Sequence, residues 1–397
     1  MSFISDKFES SIELSSDYFL NRIHYGKLKV MFPSGKVKTY LGKEPGYYAE
    51  ININTFVFLK KIFKKGSVGF AESYINGDFS SKNLTDLLML AFENENHFLF
   101  NLKTNWFYLS YSKIKHYFKE NSKLQSKKNI KYHYDLGNEF YRKWLDESMT
   151  YSSAFFENEN EKLAIAQQNK YKIIAENLSV NENSNILEIG CGWGSFSSFI
   201  AKSYGCKVEA ITISKEQFDF ASKKIFKEGL NDKVKIQFKD YRDINEKYSK
   251  IASIEMFEAV GKKYWQKYFE IIKNSLSNNG AAALQIITID EERAKYYQNN
   301  PDFIQQYIFP GGMLPSKKQI KNITNQIGLK SYILKSFGKS YAKTLSLWNK
   351  QFQLSWDELN KMGYNNKFKR MWEYYLSYCE TGFISQSTDV SHFLIRK

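Results

Sequence analysis

The stretch NILEIGCGWGSF, residues 185–196, is where residue types and spacing first suggest chemistry. An apolar run feeds Gly190, Gly192 and Gly194, and a helix is expected from about Ser195. Glycine lets the main chain approach a ligand closely, and a helix N-terminus offers unpaired N–H groups. The spacing is not the G-x-G-x-x-G of a dinucleotide turn, because the third glycine arrives one residue early. Glu188, two residues before Gly190, adds an acid that can face a cation. The next apolar run ends at Thr212, Ile213 and Ser214, with Gln217 close behind. Hydroxyl and amide groups therefore stand at the end of that run.

E-x-G-x-G is the form class I methyltransferases use, with the acid facing the cationic amino end of S-adenosylmethionine. Such a site needs a sheet to carry it. Short apolar runs at 185–189, 207–213, 234–238, 251–257 and 281–289 read as buried strands, with helical stretches between them. That alternation predicts an α/β fold with a doubly wound, Rossmann-like parallel sheet. Helices are expected at 341–360 and 366–383, and 390–396 as a final edge strand. The first ~120 residues read as a smaller α+β unit, a docking module without a catalytic constellation. There, 28–30 and 36–40 form a hairpin, 53–63 and 84–92 are helical, the second capped near Asn83, and the glycines of GSVGFAESYINGD (66–78) suggest turns. The expected division is 1–120 for docking and 121–397 for catalysis.

A net charge of +15 over 397 residues calls for an anionic partner, nucleic acid or membrane. The segment from Lys113 to Lys131, with Lys115, Lys119, Lys123, Lys127 and Lys128, is either a solvated linker or a surface that meets lipid headgroups. No apolar run reaches the ~18–20 residues needed to cross a bilayer. With a polar N-terminus and three cysteines in no CxxC pair, a cytoplasmic protein, peripheral on the inner face of the membrane, is expected. His24, His97, His116, His133 and His392 show no metal-ligand spacing, so no metal is expected, and no nucleic-acid recognition module is visible.

Seven segments in order resemble the cyclopropane fatty acid synthase family, which includes the mycolic acid cyclopropane synthases. They are HYDLGNEFYRKWLDESMTYSSAFF (133–156), EIGCGWG (188–194), ITISKEQ (211–217), DYRD (240–243), EMFEAVGKKYWQKYF (255–269), YIFPGGMLPS (307–316) and YAKTLSLWNKQF (341–352). The resemblance implies S-adenosylmethionine as cofactor, an unsaturated membrane phospholipid as substrate, a homodimer and a possible reductase partner. It implies that Tyr151 and Ser152 touch the cofactor's methionine end, Gly190 and Gly192 lie beneath it, Thr212 and Gln217 meet the ribose, and Asp240 holds the adenine edge.

An alkene is a weak nucleophile, so the reaction needs the electrophilic methyl of a sulfonium, and the carbocation that results must be kept from water. Aromatic faces stabilise such an ion by ~2 kcal/mol or more when desolvated. In the resembled family the base that then takes a proton is a bicarbonate gripped by Cys, Glu, His and Tyr. Here Glu258 and Tyr341 match, Ser153 replaces the Cys and Gln285 the His, and Ala259 replaces a histidine common after the glutamate. Ser153 and Gln285 keep a hydroxyl and an amide donor for an anion. Proton loss from the added methyl closes a cyclopropane, and loss from a neighbouring carbon leaves a methyl or methylene branch. A lipid-binding protein without activity and a nucleic-acid methyltransferase are the readings from other classes. The segment Tyr307–Pro315, with Gly311 and Gly312, is expected to shape or cover an acyl tunnel.

Overall fold

The computed structural model describes residues 17, 20–97, 123, 125–126 and 136–397. Most of the basic segment, and His116 and His133, lie outside the described residues. Lys123 is described and pairs with Asp243 at 2.6 Å.

The chain divides into two compact units: residues 1–113 with 356–385, and residues 114–355 with 386–397. The first holds a four-stranded sheet ordered β2-β1-β3-β4, from β1 (Tyr25–Met31), β2 (Val37–Leu41), β3 (Glu44–Ile53) and β4 (Phe79–Ser80). The hairpin is present, and β1 also pairs in parallel with β3. Ile53 ends a strand, and the helix begins at Val57. The glycine-bearing stretch expected to turn is instead a helix, Ser67–Asn76, bounded by Gly66 and Gly77. Gly69 sits inside it because a Cβ there would lie 2.0 Å from the Lys61 carbonyl oxygen of the preceding helix. Helix Leu84–Glu93 is capped by Asn83, whose side chain accepts from the Asp86 N–H. Helix Asn366–Ile384 joins this unit through Tyr74 Oη donating to Glu373 at 2.9 Å and Thr85 Oγ1 donating to Glu380 at 2.8 Å.

The second unit is an α/β layer structure around a seven-stranded sheet ordered β10-β11-β9-β8-β5-β6-β7. Its strands are β5 (Asn185–Ile189), β6 (Lys207–Thr212), β7 (Val234–Phe238), β8 (Tyr248–Ile254), β9 (Leu276–Ile289), β10 (Lys330–Ser336) and β11 (Thr388–Arg396). β5 pairs in parallel with both β6 and β8, so the order reverses between β5 and β8 and a crevice opens beyond their carboxyl ends. Apolar faces of β5, β8 and β9 and of helix Trp265–Ser275 form the main core, with Leu187, Ile251, Tyr268, Phe269 and Ile272 buried. The fourth strand starts and stops three residues earlier than expected, and Phe257 opens a 3-10 turn. β11 is not an edge strand. It lies antiparallel between β9 and β10, and β10 is the edge. Among the described residues no helix is long and apolar enough to cross a membrane.

Candidate active site

One cavity lies at the switch point of the second unit, within residues 126–260. Of the residues expected at the cofactor, Tyr151, Ser152, Glu188, Gly190, Gly192, Thr212 and Gln217 line it. Gly194 and Asp240 do not, although their neighbours Trp193, Ser195, Lys239, Tyr241 and Arg242 do. Gly190 has φ +82°, and a Cβ there would lie 2.8 Å from the Met256 side chain. Gly192 has φ +52°, and its Cβ would stand in open space, so its absence keeps that part of the cavity clear. Beyond them helix Ser195–Tyr204 begins at Gly194, directing its first N–H groups towards this turn.

Glu188 is buried, accepts a hydrogen bond from the Ser197 hydroxyl, and is pushed up to about 8, chiefly by burial. A buried carboxyl of this kind ionises readily only opposite a cation. Thr212 Oγ1 donates to Gln217 Oε1 at 3.0 Å and accepts from the Ser214 N–H, which ties the two side chains expected at the ribose. Asp240 grips the Arg242 guanidinium with both oxygens at 2.8 Å, and Arg242 also donates to Ser126 at 2.9 Å. Asp240 thus fixes a cavity-lining cation from one layer behind the wall. These groups fit S-adenosylmethionine: an open glycine cradle, a buried acid for an ammonium group, and paired polar side chains at the end of β6.

Past the cradle, Tyr151 lines the cavity with an aromatic cluster packed behind it. The Tyr151 ring lies 5.4 Å from Tyr141, 5.5 Å from Trp144 and 5.3 Å from Trp348. Trp348 in turn lies 6.2 Å from Tyr341. Trp144 and Trp348 are fully buried, so this wall is dry.

The four residues expected to hold a base do not meet around an empty space. Tyr341 Oη donates to Glu255 Oε2 at 2.6 Å, Gln285 Nε2 to Glu255 Oε1 at 2.7 Å, and the Ser153 N–H to the same Oε1 at 2.8 Å. The Ser153 hydroxyl points elsewhere and donates to the Ala154 carbonyl at 2.9 Å. Glu258 stands apart: the Ile287 N–H donates to its Oε1 at 2.5 Å, while its buried Oε2 has no partner among the described residues. Burial, with Glu255 nearby, lifts it to about 8. The residues present therefore do not fit bicarbonate held as expected, because the Ser153 N–H, Gln285 and Tyr341 donate to Glu255 and the Ser153 hydroxyl to Ala154.

Glu255 was not singled out from the sequence. It lines the cavity, at φ +50°, a left-handed conformation that costs a non-glycine residue roughly 1–2 kcal/mol. Its carboxyl is raised by burial, against the pull of Lys170, Tyr341, Ser153 and Gln285. Lys170 is fully buried, donates to Ser152 Oγ at 2.7 Å, and is lowered to about 7 by burial. His392, lowered to about 3 by burial, is neutral, and its Nε2 lies 2.9 Å from Gln285 Oε1. The one available signal was the second acid in E-M-F-E, three residues before Glu258.

The profile described as mycolic acid cyclopropane synthetase matches residues 121–393. The chain is 36% identical over 347 residues to a tuberculostearic acid methyltransferase of Mycobacterium tuberculosis, covering 85% of this chain and 81% of that one. It is 33% identical over 354 residues to the cyclopropane-fatty-acyl-phospholipid synthase of Escherichia coli, covering 84% of each. A solved mycolic acid cyclopropane synthase complexed with SAH and CTAB superposes with a TM-score of 0.64 at 26% identity, over 68% of this chain and 98% of that chain.

Proposed function

The chain belongs to the mycolic acid cyclopropane synthetase family and is an S-adenosylmethionine-dependent methyltransferase, and from that premise we propose that it builds a cyclopropane across the double bond of an unsaturated phospholipid acyl chain. The observation that carries this reading is the continuity of the cavity, from the glycine cradle and Glu188 to the aromatic wall of Tyr151 and the carboxylate of Glu255.

When bound, S-adenosylmethionine supplies an electrophilic methyl group. Gly190, Gly192 and the helix start after Gly194 would accept its methionine end, with Glu188 ionising against the ammonium group and Tyr151 and Ser152 closing over it. Thr212 and Gln217 would meet the ribose, and Asp240 would act on the adenine side through Arg242. The ring of Tyr151, which lines the cavity, suits a cationic acyl carbon, because a ring quadrupole attracts positive charge without offering a nucleophile. Ser153, Gln285 and Tyr341 serve the reaction through Glu255, and no step is assigned to bicarbonate. Glu258, protonated at neutral pH, would hold the turn after β8 through Ile287.

The first unit would dock the enzyme on the lipid surface, peripherally and as a dimer. A reductase would be needed only for a saturated methyl product. That second reading, a branched acyl chain, is favoured by the 36% identical tuberculostearic acid methyltransferase. Incubating the protein with unsaturated phospholipid vesicles and methyl-labelled cofactor, then examining the released fatty acids by NMR, decides between them. High-field cyclopropane protons are expected. An exocyclic methylene signal would select the branched product, and label absent from lipid would overturn the proposal.

A further inference from the structure

The donors expected to surround a small anion instead surround a side chain of the protein. An ionised carboxylate offers about four lone-pair positions. Three on Glu255 accept, from Ser153, Gln285 and Tyr341, and among the described residues the fourth has no donor. The carboxylate borders the cavity that also holds Tyr151 and Ser152. Its donors come from three separate parts of the second unit: the loop before helix Leu163–Asn177, strand β9, and helix Gly338–Leu354. The amide of Gln285 is itself oriented, since neutral His392 donates from Nε2 to the amide oxygen and leaves the NH2 group for Glu255 and the Ser153 carbonyl. A left-handed backbone at a glutamate persists only where surrounding contacts impose it, which marks a functional constraint.

The geometry points to Glu255 as the catalytic base of this enzyme, a carboxylate carried by the chain in place of a diffusible bicarbonate. This rests on the acyl-chain reading given above. The π pair of the acyl double bond forms the new C–C bond to the methyl group, whose bond to sulfur breaks and leaves its pair on sulfur. The other alkene carbon becomes cationic. Glu255 then takes one proton from the added methyl group, and the freed C–H pair closes the ring onto the cation. One positive charge enters on sulfur and one negative charge on Glu255, and both are neutralised. The carboxylic acid returns its proton to solvent once the products leave.

The test is the rate of label transfer into unsaturated phospholipid vesicles, in buffer stripped of carbon dioxide and again with bicarbonate added. Wild type should run equally well in both. Glu255→Gln keeps the shape and should lose roughly 100-fold or more, the usual contribution of a general base, while calorimetry shows unchanged cofactor binding. Glu255→Gly, which relieves the left-handed backbone and so should fold, should lose as much, and added bicarbonate entering the vacated space should restore part of the rate. A wild-type rate that needs bicarbonate, or a Glu255→Gln enzyme within a few-fold of wild type, overturns the inference while leaving lipid methylation standing. Wild type that puts no label into lipid overturns both.

Discussion

Glu188 on β5 and Glu258 in the turn after β8 show how burial assigns different duties to two carboxyls. Both are raised to about 8, so at neutral pH each is largely protonated in the cofactor-free protein. A ligand ammonium beside Glu188 would favour its ionised form and expel the proton. Calorimetry of S-adenosylhomocysteine binding at pH 7, in buffers of differing ionisation enthalpy, should therefore report release of close to one proton, and Glu188→Gln should abolish that release. Glu258 has no such partner, and its effect falls on stability. The folded state keeps a proton that the unfolded chain, with an ordinary carboxyl at 4.5, gives up. Its stabilising effect is fully present below 4.5 and is lost as pH rises towards 8. Wild-type Tm should fall between pH 5 and pH 9 by more than that of Glu258→Gln, read by thermal melts of both proteins across that range.

At the scale of elements, a strand was legible in the sequence where its own residues carried a buried face. β5 and β7 fall where the apolar runs place them, since β5 is buried from Ile186 through Ile189. β10 carried no such signal: six of its seven residues are exposed, so neither alternation nor an apolar run marks it. β8 was set too late because apolar residues continue past its end, where Phe257 packs into the core from a turn. The cofactor cradle was readable because glycines, acid and helix start are contiguous. Glu255 was not, because its partners lie at 153, 285 and 341 and only folding brings them together. The Tyr307–Pro315 segment is locked from both sides, with Gln305 Nε2 donating to the Gly312 carbonyl at 3.0 Å and the Met313 N–H to the Glu258 carbonyl at 2.8 Å. A Cβ on Gly312 would lie 3.0 Å from the Phe309 carbonyl oxygen. Gly312→Val should cut activity on vesicles by roughly tenfold, the effect of ~1.4 kcal/mol on the barrier, with cofactor affinity unchanged. Full activity would show that this segment has no part in handling the acyl chain.

For the molecule as a whole, the proposed acyl-chain substrate and the charge of +15 would draw the enzyme to an anionic lipid surface. Such attraction weakens as added salt shortens the Debye length well below ~10 Å. Label transfer into vesicles rich in anionic lipid should fall by roughly tenfold or more between about 0.05 and 0.5 M salt. Transfer into zwitterionic vesicles should be slower at the outset and change little. Equal salt dependence on the two surfaces would place the basic charge elsewhere in the protein's work.

The position of β11 also has a consequence in time. A growing polypeptide makes β9 and β10 before β11, yet β11 lies between them, and the residues that precede it, 356–385, belong to the first unit. The parallel half of the sheet can assemble during synthesis, but β10 has no neighbour until β11 slides in. His392 arrives on that same strand, and with it the orientation of the Gln285 amide. A nascent chain can therefore form the cofactor cradle before the Gln285 amide is oriented towards Glu255, so proton removal and ring closure wait on the pairing of this last strand.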